Sequence, residues 1–195
     1  MALFDNRKDI FFVMGVTIIS ISFVSGIEVF TRKFILKNEL NYFKKAVAET
    51  AGGDFTDEGL DNWFNKFVEE YKKGEIFIVK NKTFEPKTIL FIQKGKGLWG
   101  TITAAVAVDI NDKSIRGISF LSHNETPGLG ARIDENSFKK QFYGKKGLFT
   151  YEKDKEDLQQ IDGITGATIS TKAVINIVNT VLLRFYDIVN IIKRM

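Results

Sequence analysis

The feature that most constrains this chain is a charge-free run close to its N-terminus. Residues 10–27 read IFFVMGVTIISISFVSGI, eighteen positions without Asp, Glu, Lys or Arg, bounded by Lys8-Asp9 and by Glu28. A helix needs roughly 17–25 apolar residues to cross the hydrocarbon core of a bilayer. A secretory signal peptide is the competing reading, with an apolar core of about 7–15 residues and a small-residue cleavage site after it. This run continues instead into Glu28-Val29-Phe30-Thr31-Arg32, with no such site. The expectation is an uncleaved transmembrane anchor over residues 10–30, a short N-terminal tail of residues 1–9, and one folded domain over residues 31–195. Arg7 and Lys8 precede the run, whereas Arg32, Lys33, Lys37, Lys44 and Lys45 follow it. A count of positive charges would keep the domain in the cytoplasm, but long domains translocate largely regardless of charge.

The residues after the anchor have the balance of a globular domain. The whole chain of 195 residues is 44% apolar and 27% charged, with both signs mixed. That is enough apolar surface for a packed core. A net charge of +4 is mild, and the lysines are scattered, so no stripe tracks nucleic-acid phosphates and no nucleic-acid partner is expected. Cysteine is absent and His123 is the single histidine. Those two facts exclude disulfides, thiol nucleophiles and cysteine-ligated iron–sulfur clusters, and they speak against zinc. A chain of this kind that moves electrons must hold an organic cofactor or serve a partner that does.

Periodicity divides the domain into helical ends and a β-rich middle. Residues 38–51 read as a helix with Leu40, Phe43 and Val47 on one face, stopped by Gly52-Gly53. Residues 57–72 read as a second amphipathic helix, its Leu60, Trp63, Phe64, Phe67 and Val68 stripe taken as core. Residues 76–80, 87–93, 100–110 and 114–122 are runs of Val, Ile, Phe and Thr. The pieces between them are turn-like: Asn81-Lys82, Gly95-Lys96-Gly97 and Asn111-Asp112-Lys113. The last two are short enough for antiparallel hairpins. Residues 134–142 suggest a short helix. Residues 170–194 suggest a long one, whose wide apolar face from Val174 to Ile192 is interrupted by Arg184 and Asp187. Those two charges argue for packing on the sheet rather than a second membrane span. The predicted class is α+β: one N-terminal transmembrane helix, then a domain with a twisted, mainly antiparallel sheet and flanking helices.

Three stretches carry possible chemistry. Gly95-Lys96-Gly97-Leu98-Trp99-Gly100 matches G-x-G-x-x-G, but a dinucleotide fold needs a helix directly afterwards. Residues 101–108 read as a strand, so the motif is a glycine hairpin with Trp99 over the sheet end. His123-Asn124-Glu125-Thr126-Pro127-Gly128-Leu129-Gly130 follows a strand and is therefore a loop. Its glycines would let backbone lie close to a flat ligand, or it is a plain Pro-Gly turn with Glu125 in solvent. His123 reads as structural. Asp162-Gly163-Ile164-Thr165-Gly166-Ala167-Thr168-Ile169-Ser170-Thr171 leads into the terminal helix. A helix start offers unpaired N–H groups and a partial positive charge, a natural phosphate site, although a simple N-cap would look the same. Thr165, Thr168, Ser170 and Thr171 place four hydroxyls within seven positions, and spacing does not choose among them.

In this order, an apolar N-terminal span, G-x-G-L-W-G, E-T-P-G-L-G and D-G-x-T-G-A-T-x-S-T before a terminal helix, the chain resembles the FMN-binding subunits of ion-translocating redox complexes. These form the RnfG/NqrC family, found in Rnf complexes and in the sodium-pumping NADH:quinone oxidoreductase respectively. The resemblance covers essentially the whole chain, and the compact length is more like the Rnf member. It implies FMN bound covalently, as a phosphoester, to the threonine that closes the S/T-G-A-T motif, here Thr168. It further implies a separate flavin transferase using FAD, and a flavin domain on the outer face of the cell membrane. The other subunits of the complex, among them integral membrane and iron–sulfur or flavin subunits, would be its partners. The motif's usual first serine is Thr165 here. Gly166 and Ala167 leave room for the transferring group, with Ser170 and Thr171 expected to cap the helix. Trp99, Glu125, Thr126, Gly128, Leu129 and Gly130 would line the flavin. Rnf complexes couple electron transfer between ferredoxin and NAD to sodium or proton transport. A membrane-anchored sensory or regulatory flavin module is the alternative from another class.

Overall fold

The computed structural model describes residues 7–83, 85–151 and 158–192. Most of the expected N-terminal tail, and residues 193 and 194 of the expected terminal helix, lie outside them. The chain divides into two compact units, residues 1–41 and 42–195.

Helix α1 runs without a break over Arg7–Thr50, 44 residues. The anchor and the helix expected at residues 38–51 are therefore one element. Residues 28–40 contain neither proline nor glycine, so nothing stops the helix between them. In the first unit Phe11, Phe12, Ile18, Ile19, Phe23 and Val24 are all exposed. An apolar surface of that extent is what a lipid-facing helix presents.

The second unit is built on a five-stranded antiparallel meander in the order β1-β2-β3-β4-β5. The strands are β1 (Val68–Lys72), β2 (Ile76–Lys80), β3 (Pro86–Lys96), β4 (Thr101–Asp109) and β5 (Ile115–Ser122). Helix α2 spans Leu60–Phe67 after a single 3-10 turn at Asp57–Gly59. The expected helix over residues 57–72 is thus too long. The helix stops at Phe67, and residues 68–72, beginning with Val68 of the expected stripe, pair with β2 as an edge strand, Val68 opposite Val79. Glu69, Glu70 and Lys72 leave that edge charged, which discourages pairing with another chain. The loop expected at Gly95-Lys96-Gly97 also shifts. Gly95 and Lys96 remain in β3, paired with Ile102 and Thr101, and the turn occupies residues 97–100.

Both faces of the sheet are covered, which is why β3 and β4 read as continuous apolar runs. On one face Ile89, Phe91, Ala104, Val106 and Val108 pack with helix α4 (Thr168–Ile192). Its Val174, Ile177, Val178, Val181, Leu182 and Phe185 recur at helical spacing. On the other face Phe77, Leu90, Ala105 and Ala107 meet Val47, Phe43 and Phe64 from the end of α1 and from α2. Successive residues of one strand point to opposite faces, so a single strand feeds both cores. Arg184, which seemed to interrupt the terminal helix, donates to Gln93 Oε1 at 2.7 Å and to Glu75 Oε2 at 3.1 Å. Its guanidinium also lies 5.7 Å from the centre of the Phe91 ring. The Lys72 ammonium, and with it Arg184, holds the Glu75 carboxyl below its ordinary pKa.

The helix expected at residues 134–142 is broken into 3-10 turns around a one-turn helix α3 (Asn136–Lys139). Phe138 and Phe142 are its buried anchors. A two-residue parallel pair, β6 (Phe149–Thr150) with β7 (Gln159–Gln160), was not foreseen. So short a pairing leaves no periodic signal.

Phe91 is fully buried at the centre of the sheet and α4 contact. Phe91→Ala is expected to lower the unfolding free energy by about 3–5 kcal/mol, read by denaturant unfolding. A change below about 1 kcal/mol would contradict this core.

Candidate functional site

Three segments far apart in the chain meet at one end of the sheet, and the group they share is the carboxylate of Glu125. Glu125 is buried, 5% exposed, so the plain turn with this residue in solvent is excluded. Its Oε1 accepts from the backbone N–H of Leu98 at 2.9 Å and of Trp99 at 3.2 Å. Its Oε2 accepts a short hydrogen bond from the Ser170 hydroxyl. A buried carboxylate is tolerated only when its oxygens are satisfied in this way. The start of α4, with its positive dipole end, adds a favourable field.

The local sequence makes this convergence possible. The β3–β4 turn closes with Gly97 N–H donating to Gly100 O at 2.8 Å, which turns the amides of Leu98 and Trp99 toward Glu125. The loop after β5 is folded on itself, with the Leu129 and Ala131 amides both donating to Thr126 O at 3.1 Å. Gly128 has φ +76°. Gly130 has to be glycine, because a Cβ there would stand 2.5 Å from Glu125 Oε2 and 2.6 Å from Ser170 Oγ. His123 supports the loop from behind. Its Nε2 lies 2.7 Å from Asp134 Oδ2, and its Nδ1 accepts from the Glu125 amide at 3.2 Å, the structural part expected of it.

The third segment turns sharply before α4. Ala167 N–H donates to Ile164 O at 2.9 Å, with Gly166 at φ +78° between them. A turn with positive φ at its third position calls for glycine. A Cβ on Gly166 would stand 3.2 Å from Leu129 Cδ2, so the second and third segments touch. Thr168 is the first residue of α4. The amides of Thr168, Ile169 and Ser170 have no hydrogen-bond acceptor among the described residues, as a helix start leaves them.

Burial sorts the four hydroxyls. Thr171 is fully buried and its Oγ1 accepts from the Ile164 amide at 3.1 Å. Ser170 is 1% exposed and bound to Glu125. Neither caps the helix, contrary to expectation; each ties it to an incoming loop. Thr165 and Thr168 are exposed. Leu98, Trp99, Leu129 and Ile169 are also exposed, Trp99 at 65%. Trp99 thus does not cover the sheet end, and only its amide is engaged. Ala167 is buried in the core, and Thr126 contributes its carbonyl to the loop. Sequence reasoning did not single out Ile169 or Leu98. Their apolar character next to polar motif residues was the available signal. No group of three or more His, Asp or Glu that could hold a metal occurs among the described residues.

These residues can do one thing well. An exposed hydroxyl stands beside three free amide donors at a helix start, which is a phosphate-binding arrangement, and exposed apolar side chains flank it. Glu125 holds the segments in register. Glu125→Ala strands the Leu98 and Trp99 amides and the Ser170 hydroxyl, and is expected to cost about 3 kcal/mol of stability. Glu125→Gln can still accept from the loop and is expected to cost less than about half of that, both read by denaturant unfolding.

Comparison with known proteins is consistent with this geometry. Residues 97–183 match the family model of the FMN-binding domain, a stretch that contains all three segments. The G subunit of the proton-translocating ferredoxin:NAD(+) oxidoreductase complex of Clostridium ljungdahlii is 46% identical over 91 residues. That match takes in 45% of this chain and 49% of the relative, so the chain spans about half the length of that protein. The G subunit of the ion-translocating oxidoreductase complex of Buchnera aphidicola is 31% identical over 185 residues, 88% of this chain and 86% of the relative. Among solved structures, the C subunit of the Na(+)-translocating NADH-quinone reductase from Parabacteroides distasonis aligns with a TM-score of 0.63 at 22% identity. It covers 76% of this chain and 92% of that one, and shows the shared fold. With near-full-length similarity to the Buchnera protein and an FMN-binding domain centred on the Glu125 junction, the chain belongs to the RnfG/NqrC family.

Proposed function

We propose that this chain is a membrane-anchored flavoprotein subunit that carries FMN covalently on Thr168 and relays electrons within an ion-translocating oxidoreductase complex of the Rnf type. The observation that carries the attachment point is the sorting of the four hydroxyls. Ser170 and Thr171 are buried and engaged, whereas Thr168 is exposed at the first position of α4 beside three unpaired amides. Thr165 is exposed too, but it precedes Gly166 and stands off the helix start.

FMN bound here supplies the electron-accepting and electron-donating ring that no side chain of this chain can provide. The residues supply position and electrostatics. Thr168 Oγ1 would hold the FMN phosphate as a phosphoester, formed by a separate flavin transferase as the pyrophosphate bond of an FAD donor breaks, with AMP and the hydroxyl proton released. The amides of Thr168, Ile169 and Ser170 offset the charge of the resulting phosphodiester. Gly166 bends the chain away from the attached group. Leu98, Trp99, Leu129 and Ile169 offer apolar surface for one side of a flat ring, with Thr126, Gly128 and Gly130 bringing backbone close to it. Glu125 stays beneath as the positioning residue.

The matches to subunits of such complexes support partners of the same kind, integral membrane and iron–sulfur or flavin subunits. The exposed apolar first unit supports a single membrane anchor over residues 10–30. The domain over residues 31–195 would face the extracytoplasmic side, where a tether prevents loss of cofactor to a dilute exterior. On α4 the apolar face is spent on the sheet, which favours one span over two. The near-full-length match to the Buchnera protein favours the Rnf-type complex over the quinone reductase.

Two experiments test this reading. Thr168→Ala, expressed with a flavin transferase, is expected to give a folded protein without covalent flavin, read as loss of ultraviolet fluorescence from the denatured gel band. Thr165→Ala and Thr171→Ala keep the adduct, the latter at reduced stability because the Ile164 amide loses its acceptor. Undiminished fluorescence of Thr168→Ala would sink the assignment. For topology, protease added to intact cells is expected to digest the domain. Protection until lysis would place it in the cytoplasm instead.

A further inference from the structure

A cleft lies at the other end of the sheet. Strand β3 carries Lys96 next to the turn beneath Glu125 and Thr88 near its opposite end, eight residues or roughly 26 Å away. The cleft has a volume of about 400 Å³ and opens between the turn after α1, helix α2 and the β2–β3 hairpin. Its lining includes Trp63, Phe67, Lys82, Lys87 and Thr88.

Three features mark it as built for a ligand. Thr88 is 1% exposed, and its hydroxyl has no hydrogen-bond partner among the described residues. A buried hydroxyl is kept without a partner at a cost to the fold, and here it belongs to a residue of the cleft wall. Trp63 and Phe67 form an aromatic wall with ring centres 5.9 Å apart. Gly53 packs so closely under Trp63 that a Cβ would stand 2.5 Å from the indole, which fixes the orientation of that wall. Charge is uneven as well. Lys80 is paired with Glu69 at 2.6 Å, whereas Lys82 and Lys87 are exposed and form no ion pair among the described residues. Asp54 is the one acidic residue in the lining, so the cleft carries an excess of positive charge.

We propose that this cleft binds a planar aromatic carboxylate bearing a ring hydroxyl, with the ring against Trp63 and Phe67, the carboxylate toward Lys82 and Lys87, and the hydroxyl paired with Thr88. The volume suits a bicyclic molecule. The site is independent of the flavin, since none of its residues belongs to the Glu125 junction.

The test is calorimetric titration of the flavin-loaded full chain in lipid nanodiscs with 6-hydroxy-2-naphthoate, 2-naphthoate and 2-naphthol. The hydroxynaphthoate is expected to bind saturably and tighter than either of the others by at least about fivefold, the worth of one hydrogen bond. Thr88→Val, which replaces the unpartnered hydroxyl with a methyl of the same shape, should remove the advantage over 2-naphthoate and raise the Tm. Lys82→Gln with Lys87→Gln should remove the advantage over 2-naphthol. Thr168→Ala should bind all three as the parent does, which separates this site from the flavin assignment. Absence of saturable binding, or an affinity unmoved by the Thr88 or the lysine changes, overturns the proposal.

Discussion

The buried carboxylate of Glu125 is the interaction on which the rest of the site depends. Carried on the loop after β5, it accepts from two amides of the β3–β4 turn and from the Ser170 hydroxyl in the first turn of α4, and so joins three segments far apart in the chain. A charge in a dry setting is costly unless each oxygen finds donors, so the three segments are held together or the carboxylate is left stranded. Donors and acceptor are complementary in number and position, and Gly97 and Gly130 are absent side chains that let it fit. The surface above it, with the exposed hydroxyl of Thr168 and its free amides, is thereby fixed without any functional group being consumed in fixing it.

The sheet makes that junction stable. Because β3 and β4 are buried on both faces, the ends of two central strands are anchored by cores on either side, one under α4 and one under the end of α1 and α2. The turn at residues 97–100 and the start of α4 emerge from those anchored elements rather than from free loops. A site carried on such elements is rigidly supported. The same continuous α1 that contributes to one core begins as the exposed apolar run of the first unit.

Much of this architecture was legible before any coordinates. Periodicity gave strands β2 to β5, and turn chemistry gave the two antiparallel hairpins that join β3 to β4 and β4 to β5. The spacing of Val174, Ile177, Val178, Val181 and Leu182 gave α4 and its packing face. The failures have specific causes. Residues 57–72 continue a helical pattern that ends at Phe67, and the next five residues follow the demand of β2 for a pairing partner, a tertiary override of local pattern. Gly95 looked like a turn residue yet lies in β3, close under Ile177 of α4. The β6–β7 pair is too short to leave a period.

The sequence by itself determined the apolar N-terminal run, the class of fold, the exclusion of thiol chemistry, and the two motifs that fall within a flavin-binding domain. These follow from composition and from local spacing, which a chain carries along its length. Only the tertiary structure decided what the motif residues do. Glu125 could have been a solvent-exposed turn residue. Four hydroxyls in seven positions were equivalent on paper, and burial separated Ser170 and Thr171, which hold loops, from Thr168 and Thr165, which face out. The reason is physical: whether a polar group is a fastener or stays free at the surface depends on which donors and acceptors meet it from distant parts of the chain, and that information exists only once the chain has folded.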